Sequence, residues 1–412
     1  MPWDLSSEDE LCLLLVRAQL TPEARERASK LLAGPLEWPR FSERARRYGI
    51  FPLLYSSLQT LGFPGMPEPV RSEWTKIFGL NALRNELLSK ELARILRLLC
   101  ERGIRVMPLK GVALGETLYG DPALRPTADI DVLVPQRQAI EAFHLLVASG
   151  YESDLTKPRL LDLAVRYGKH CTLTRHEALR DYSLELHCGL FWGGQLERGA
   201  LEALWSEARP QCFYGIPAFA LSPEWELLYL AAHAAQHARL ALTWYVDLDR
   251  ICRRGVLDWK SASEKARWLG WEEAVRSSLA VCQSLFDTPV DPAFGAGPPP
   301  PASRLTHRRG EDYSQAASGA ERLGEWKLPI SDLQIPSENL FLFRLLKTPS
   351  RKLRYLAIRI LLPTPAECAL IPLPDSLFFL YYPLRPLRVA CNAARWVMQA
   401  GWKRVRRTMQ VG

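Results

Sequence analysis

Apolar side chains recur at three- and four-residue spacings through the first hundred residues, the mark of amphipathic helices packed on a core. The clearest run, NALRNELLSKELARILRLLCERG, sets Leu83, Leu87, Leu88, Leu92, Ile95, Leu96 and Leu99 on one stripe, with Gly103 placed to end the helix. This pattern predicts an N-terminal helical region over 1–100. Beyond it the period changes. IRVMPL suits a short buried strand, KGVALGETLYG a tight turn opening a short helix, and DIDVLVP a second strand ended by Pro135. QRQAIEAFHLLVASGY reads as a helix stopping at Gly150, and KHCTLTRHE with DYSLELHCGLFW as a hairpin in which Leu184, Leu186 and Cys188 alternate with Glu185 and His187. Strand, helix, strand, helix, hairpin predicts a small α/β core with a mixed sheet over 101–220. The whole is expected to be an α+β fold whose core is flanked by N-terminal and C-terminal helical regions.

The helical signal returns at Ser222, a capping residue, and Pro223, suited to the first helical position; an apolar-rich stretch follows through Ile251. Residues 221–286 are therefore expected to form a helical domain closing a cleft. Residues 287–337 contain PPPP, GAG and SQAASGAE and read as a linker or long loop. The remainder, 338–412, is a basic, apolar C-terminal segment. No internal repeat is visible.

Charge changes the picture only there. From Arg344 onward thirteen Lys/Arg face two acids, Glu367 and Asp375, a local net of +11, while the first 343 residues carry −3. A basic, aromatic and proline-broken segment is expected to pack on the core with a solvated face. An anionic membrane surface and RNA are the next readings. The N-terminus lacks the basic start of a signal peptide, no run of eighteen apolar residues occurs, and the nine cysteines are scattered without a CxxC pair. The expectation is a cytoplasmic protein with reduced thiols, touching membrane at most peripherally.

Candidate chemistry centres on Asp129 and Asp131. Two apart on a strand, their carboxylates share a face, an arrangement favoured when cations sit between them. A lone DxD also occurs at solvated strand ends. Its context is more specific: Lys110-Gly111 opens a helix upstream, where backbone N–H groups and an ammonium can cradle phosphate, and Glu185 stands on a later strand. Arg125 sits in the loop entering the acid pair and reads as a phosphate clamp, or otherwise as a surface arginine paired with Asp121. His187 shares a face with Glu185 and can orient a carboxylate, contact substrate or serve structure. His233 and His237 lie four apart on one helix face, but the glutamate of HExxH is missing, so pocket-lining or structural roles precede zinc. Asp247 and Asp249 follow on different faces of a helix. Neither GxGxxG nor GxxxxGK[ST] is present, which excludes dehydrogenase and P-loop readings.

The stretch LKGVALGETLYGDPALRPTADIDVLV with the later LELH resembles the nucleotidyltransferase superfamily that includes polymerase beta. The likeness is to a little-characterised branch with LKG, LY, R, DIDLLV and ELH, and it covers roughly residues 80–255. In the wider superfamily a Gly-Ser or Gly-Gly pair opens the helix; here the position holds Lys110-Gly111. The resemblance implies a nucleotidyltransferase core in which Asp129, Asp131 and Glu185 bind two Mg²⁺ ions and Lys110 and Arg125 contact phosphate. Asp247 resembles the branch's aspartate after a histidine-bearing helix, and with His233 and His237 is expected to line the cleft. The implied activity is transfer of a nucleoside monophosphate from ATP or another NTP to a hydroxyl or phosphate acceptor: a small molecule, polysaccharide, peptide or RNA. The alternative is a catalytically degenerate member acting as a nucleotide-binding or assembly module.

Overall fold

The computed structural model describes residues 5–178, 180–190, 198–236, 241–294, 343, 349–392 and 394–395. Five helices open the chain: α1 (Ser7–Leu15), α2 (Pro22–Ala33), α3 (Trp38–Arg47), α4 (Phe51–Thr60) and α5 (Glu68–Cys100). Their starts follow local chemistry. Ser6 and Thr21 accept hydrogen bonds from Asp9 and Ala24 N–H groups, and proline stands in the first turn of α2 to α5. Of the predicted α5 stripe, Leu88, Leu92, Ile95, Leu96 and Leu99 are buried, but Leu83 is 53% exposed. It lies between the two stretches of α5 that pack, so its spacing is right and its neighbour is missing.

The central sheet has the order β1-β2-β4-β3, built from β1 (Met107–Pro108), β2 (Ile130–Leu133), β3 (His170–His176) and β4 (Asp181–His187). β1 runs antiparallel to β2, β2 parallel to β4, and β3 antiparallel to β4. The sheet is mixed, as the sequence pattern implies, although β1 is only two residues long. Helix α6 (Val112–Tyr119) joins β1 to β2, and α7 (Ala139–Ala148) and α8 (Pro158–Tyr167) join β2 to β3. Pattern reading omits α8 and a second hairpin, β5 (Arg209–Phe213) with β6 (Ile216–Ala220), which follows α9 (Arg198–Ser206). β5 carries Pro210 and alternates weakly, which hides it from a period-two search.

The stretch after Ser222 forms two helices, α10 (Pro223–Gln236) and α11 (Leu242–Arg253), followed by α12 (Trp259–Leu269) and α13 (Glu272–Phe286). These share one hydrophobic core with α1 to α4, including Leu11, Phe41, Trp74, Trp225, Tyr245 and Phe286. A second core lies under the sheet, where Leu88 to Leu99 of α5 meet Ile130, Val132, Leu184 and Leu186. Helix α5 enters both. At the start of the expected linker or long loop, Thr288 is buried and donates to Asp249 at 2.6 Å, and Phe294 packs in the first core. Residues 295–342 lie outside the described residues.

Part of the C-terminal segment packs on the sheet side. Phe378 and Tyr381 enter the second core, and Lys157 Nζ donates to the Leu373 carbonyl at 2.8 Å and Asp375 at 3.0 Å. Buried Glu367 accepts from Arg385 at 3.1 Å and from Arg388, and closes a capping box with Thr364. No helix among the described residues is long and apolar enough to cross a membrane.

Candidate active site

The register of β2 against β4 builds the site. Asp131 pairs with Glu185 and Leu133 with His187, so alternation turns Asp131, Glu185 and His187 to one face. Across the hairpin His170 pairs with His187, which adds a second histidine to that face. Asp129, immediately before β2, completes the cluster: one oxygen each from Asp129, Asp131 and Glu185 lies within 4.8 Å of the others. The opposite face carries Ile130, Val132, Leu184 and Leu186, all buried in the second core. A one-residue slip would exchange the faces, so the core fixes the acids.

The loop leading into Asp129 is held from two sides. Asn81 of α5 donates to the Ala123 carbonyl at 2.7 Å, and Asn85 donates to the carbonyls of Pro122 at 2.6 Å and Arg125 at 2.7 Å. From the other side, Arg125 donates to Asp247 of α11 at 2.9 and 3.2 Å, and Tyr119 donates to the same carboxylate at 2.6 Å. Asp121 caps Ala123 at 2.8 Å, so it is engaged elsewhere and does not pair with Arg125. The Arg125–Asp247 pair is buried and ties the sheet unit to the helices that follow. Asp249, on another face of α11, binds Arg253 at 2.8 Å.

Upstream, Gly111 has φ +68° and starts α6. A Cβ there would meet Thr127 Cγ2 at 3.0 Å and the Asp129 carbonyl oxygen at 3.4 Å. The backbone therefore passes closer to the acid loop than any other residue allows. Lys110 reaches the acids directly, with Nζ 3.1 Å from Asp131 and 4.0 Å from Asp129.

Three carboxylates and one ammonium leave the cluster short of positive charge. Burial and the charge of Asp131 raise the Asp129 carboxyl above its ordinary value. Burial works against the Lys110 charge, but Asp131 and Asp129 outweigh it, so its pKa is raised and the ammonium persists. Burial likewise raises the Glu185 carboxyl. The hydrogen bond from His187 and nearby positive charge overcome this and hold it well below the carboxylate range. Burial and repulsion from His187 push His170 down to about 3, which leaves a neutral imidazole near pH 7. Asp131 Oδ2 is buried without a hydrogen-bond partner among the described residues. A bare carboxylate oxygen on a residue clustered with two further carboxylates fits a cation, and all-oxygen donors suit a hard one.

His187 is fully buried, and its Nε2–H donates to Asp131 at 3.0 Å and Glu185 at 3.1 Å. Two residues that sequence reading does not single out complete the surroundings. His170 Nδ1 lies 3.3 Å from Glu185 Oε2; its place opposite His187 in the hairpin was the available signal. Tyr229 of α10 has a buried hydroxyl without a hydrogen-bond partner among the described residues, and its pKa is raised by burial and by the acids. The charges of Lys110, Asp131 and Glu185 act on it, so the helical region faces the cluster. Four residues further along α10, His233 is buried with its ring 5.1 Å from Trp244 and 6.2 Å from Tyr229. His237 lies outside the described residues.

A small mixed sheet that gathers three carboxylates behind a glycine-started helix is the arrangement of a nucleotidyltransferase. The chain belongs to the family described as uncharacterised nucleotidyltransferase, whose pattern matches residues 34–287. Among solved structures it is similar to an antigenic nucleotidyltransferase-like protein from Paracoccidioides brasiliensis. That likeness is 15% identity over 48% of this chain and 96% of the other, with a TM-score of 0.31. No curated protein matches it.

Proposed function

We propose that the chain transfers a nucleoside monophosphate from an NTP to a hydroxyl or phosphate acceptor, releasing pyrophosphate. The carrying observation is the buried, unpartnered Asp131 Oδ2 within a three-carboxylate cluster. Asp129, Asp131 and Glu185 would hold Mg²⁺, which neutralises phosphate oxygens and lowers the pKa of a bound hydroxyl. The Gly111 turn and the first N–H groups of α6 bind the triphosphate, with Lys110 poised between it and the acids. The acceptor oxygen forms a bond to the α-phosphorus as the bond to the β-phosphate bridging oxygen breaks. The acceptor proton passes to Glu185 or to water. His187 fixes the spacing of Asp131 and Glu185. The Arg125–Asp247 pair and His233 of α10 would line the helical wall of the cleft.

The test is pyrophosphate release from each NTP with Mg²⁺ and candidate acceptors. Positioning and charge neutralisation supply most of such catalysis, so Asp131→Asn is expected to lower turnover by about 10³-fold or more. Unchanged turnover would sink the assignment.

We also propose that the C-terminal surface rests on an anionic lipid surface, which would place acceptors at the membrane. Eleven of the seventeen large apolar side chains exposed among the described residues lie between Leu353 and Leu387. On the helix Pro349–Leu361, Leu353, Leu356 and Ile360 form an exposed stripe while Tyr355 anchors the other side. Apolar exposure within a segment of net charge +11 is the chemistry of an interfacial helix on acidic lipid.

A further inference from the structure

The carboxylate cluster is only half of the polar face. We propose that His170, Glu185 and His187 form a second cation subsite for a zinc-class transition metal, sharing Glu185 with the oxygen-lined subsite.

The donor set differs in kind from the first. His170 and His187 offer imidazole nitrogens and Glu185 a carboxylate oxygen, all within 4.8 Å of one another. Imidazole suits Zn²⁺ and its neighbours, whereas Mg²⁺ prefers oxygen. Spacing agrees. Zinc bonds of about 2.0–2.1 Å in a tetrahedron put neighbouring donors about 3.3 Å apart. Here Glu185 Oε2 lies 3.3 Å from His170 Nδ1 and 3.1 Å from His187 Nε2, and His187 Nε2 lies 3.0 Å from Asp131 Oδ1.

Division of labour within Glu185 follows. Both histidines contact Oε2, and Glu185 belongs to both donor groups, so its two oxygens can serve one cation each. A carboxylate with one oxygen on each side is the usual bridge between two cations. Backbone pairing supports the set. His170 and His187 are cross-strand partners, and Glu185 lies two residues before His187 on the same face, so three donors are fixed by hairpin register and not by flexible loops. The fourth position belongs to Asp131 or to a ligand atom from outside. Ligation through Nε2 would place any remaining His187 ring proton on Nδ1, which has no hydrogen-bond partner among the described residues.

The test uses the full chain, stripped with chelator and then titrated with Zn²⁺ by calorimetry and with Co²⁺ by visible absorption. Wild type is expected to take one Zn²⁺ without nucleotide, to give the intense bands of four-coordinate Co²⁺, and to keep the ion under excess Mg²⁺. His170→Ala, and separately His170→Gln, are expected to weaken Zn²⁺ at least 10-fold. Asp129→Asn is expected to stay within about 3-fold of wild type. Thermal melts confirm that each variant is folded. The inference is overturned by unchanged affinity in folded His170 variants, by octahedral Co²⁺ spectra, or by displacement with Mg²⁺. Binding is read without turnover, so this outcome is separate from that of the Asp131→Asn assay.

Discussion

Asp247→Asn leaves a guanidinium buried beside a neutral amide, and the structure gives the size of the effect. Arg125 and Asp247 have side chains 6% and 0% exposed, joined by contacts of 2.9 and 3.2 Å, and Tyr119 donates to the same carboxylate at 2.6 Å. Solvent cannot replace the lost charge. Breaking such a pair from one side costs about 3–5 kcal/mol, because the remaining ion keeps its desolvation penalty without its partner. Replacing both, as Arg125→Met with Asp247→Leu, removes penalty and attraction together and should cost clearly less than Asp247→Asn alone. Equilibrium urea denaturation followed by circular dichroism measures each variant, and the cycle of Arg125→Met, Asp247→Leu and their double variant gives the coupling. An Asp247→Asn variant within 1 kcal/mol of wild type would refute the reasoning. So would an Arg125→Met protein of full stability that has lost nucleotide affinity, since the guanidinium would then serve the ligand.

Two further outcomes are expected. The Glu226 carboxyl is raised from 4.5 to about 7 by burial, with Arg254 only 3.8 Å away as partial relief. The folded state thus holds this proton more tightly than the unfolded chain. The resulting stability is complete below about pH 4.5 and is lost as pH rises through about 7, by up to about 3 kcal/mol. Glu226→Gln should flatten that part of the profile, and denaturation at pH 5 and pH 8 with equal wild-type-to-variant differences would contradict it. In flotation assays the chain should bind vesicles containing phosphatidylserine and lose most of that binding when Leu353, Leu356 and Ile360 are changed to serine. Equal binding to neutral vesicles, or none to acidic ones, would remove the lipid contact.

Much of the sheet was legible because its signals are local. Alternation in DYSLELH marks which residues face the core, and register then follows from the need to bury Leu184 and Leu186. Gly111 was readable as part of a turn and Gly150 as a helix stop, and both take positive φ. The Asp129, Asp131 and Glu185 cluster follows from the same period. What stayed hidden depends on contacts distant in sequence. Arg125 reads as a loop cation facing ligand until Asp247, more than a hundred residues away, is seen to hold it. Tyr229 looks like one more apolar position on α10, and only the docking of that helix brings its hydroxyl to the acids. His170 could have been found by carrying the hairpin pairing two residues beyond Glu185, to His187. Leu83 shows the reverse: a correct stripe does not say where along a helix the partners stop.

Helix α5 is 33 residues long, about 50 Å end to end, and each end is clamped by a different body of packed side chains. Trp74 is seated in one and Leu88 begins the other, while Leu80 and Leu83 between them stand in the open. Asn81 and Asn85, which suspend the loop entering Asp129, fall on the span between the two bodies, where Asn85 is itself fully buried. The loop hangs from the centre of a beam fixed at both ends and is tied on its far side to α11, so its height over the acids is set jointly by that beam and by the Arg125–Asp247 pair.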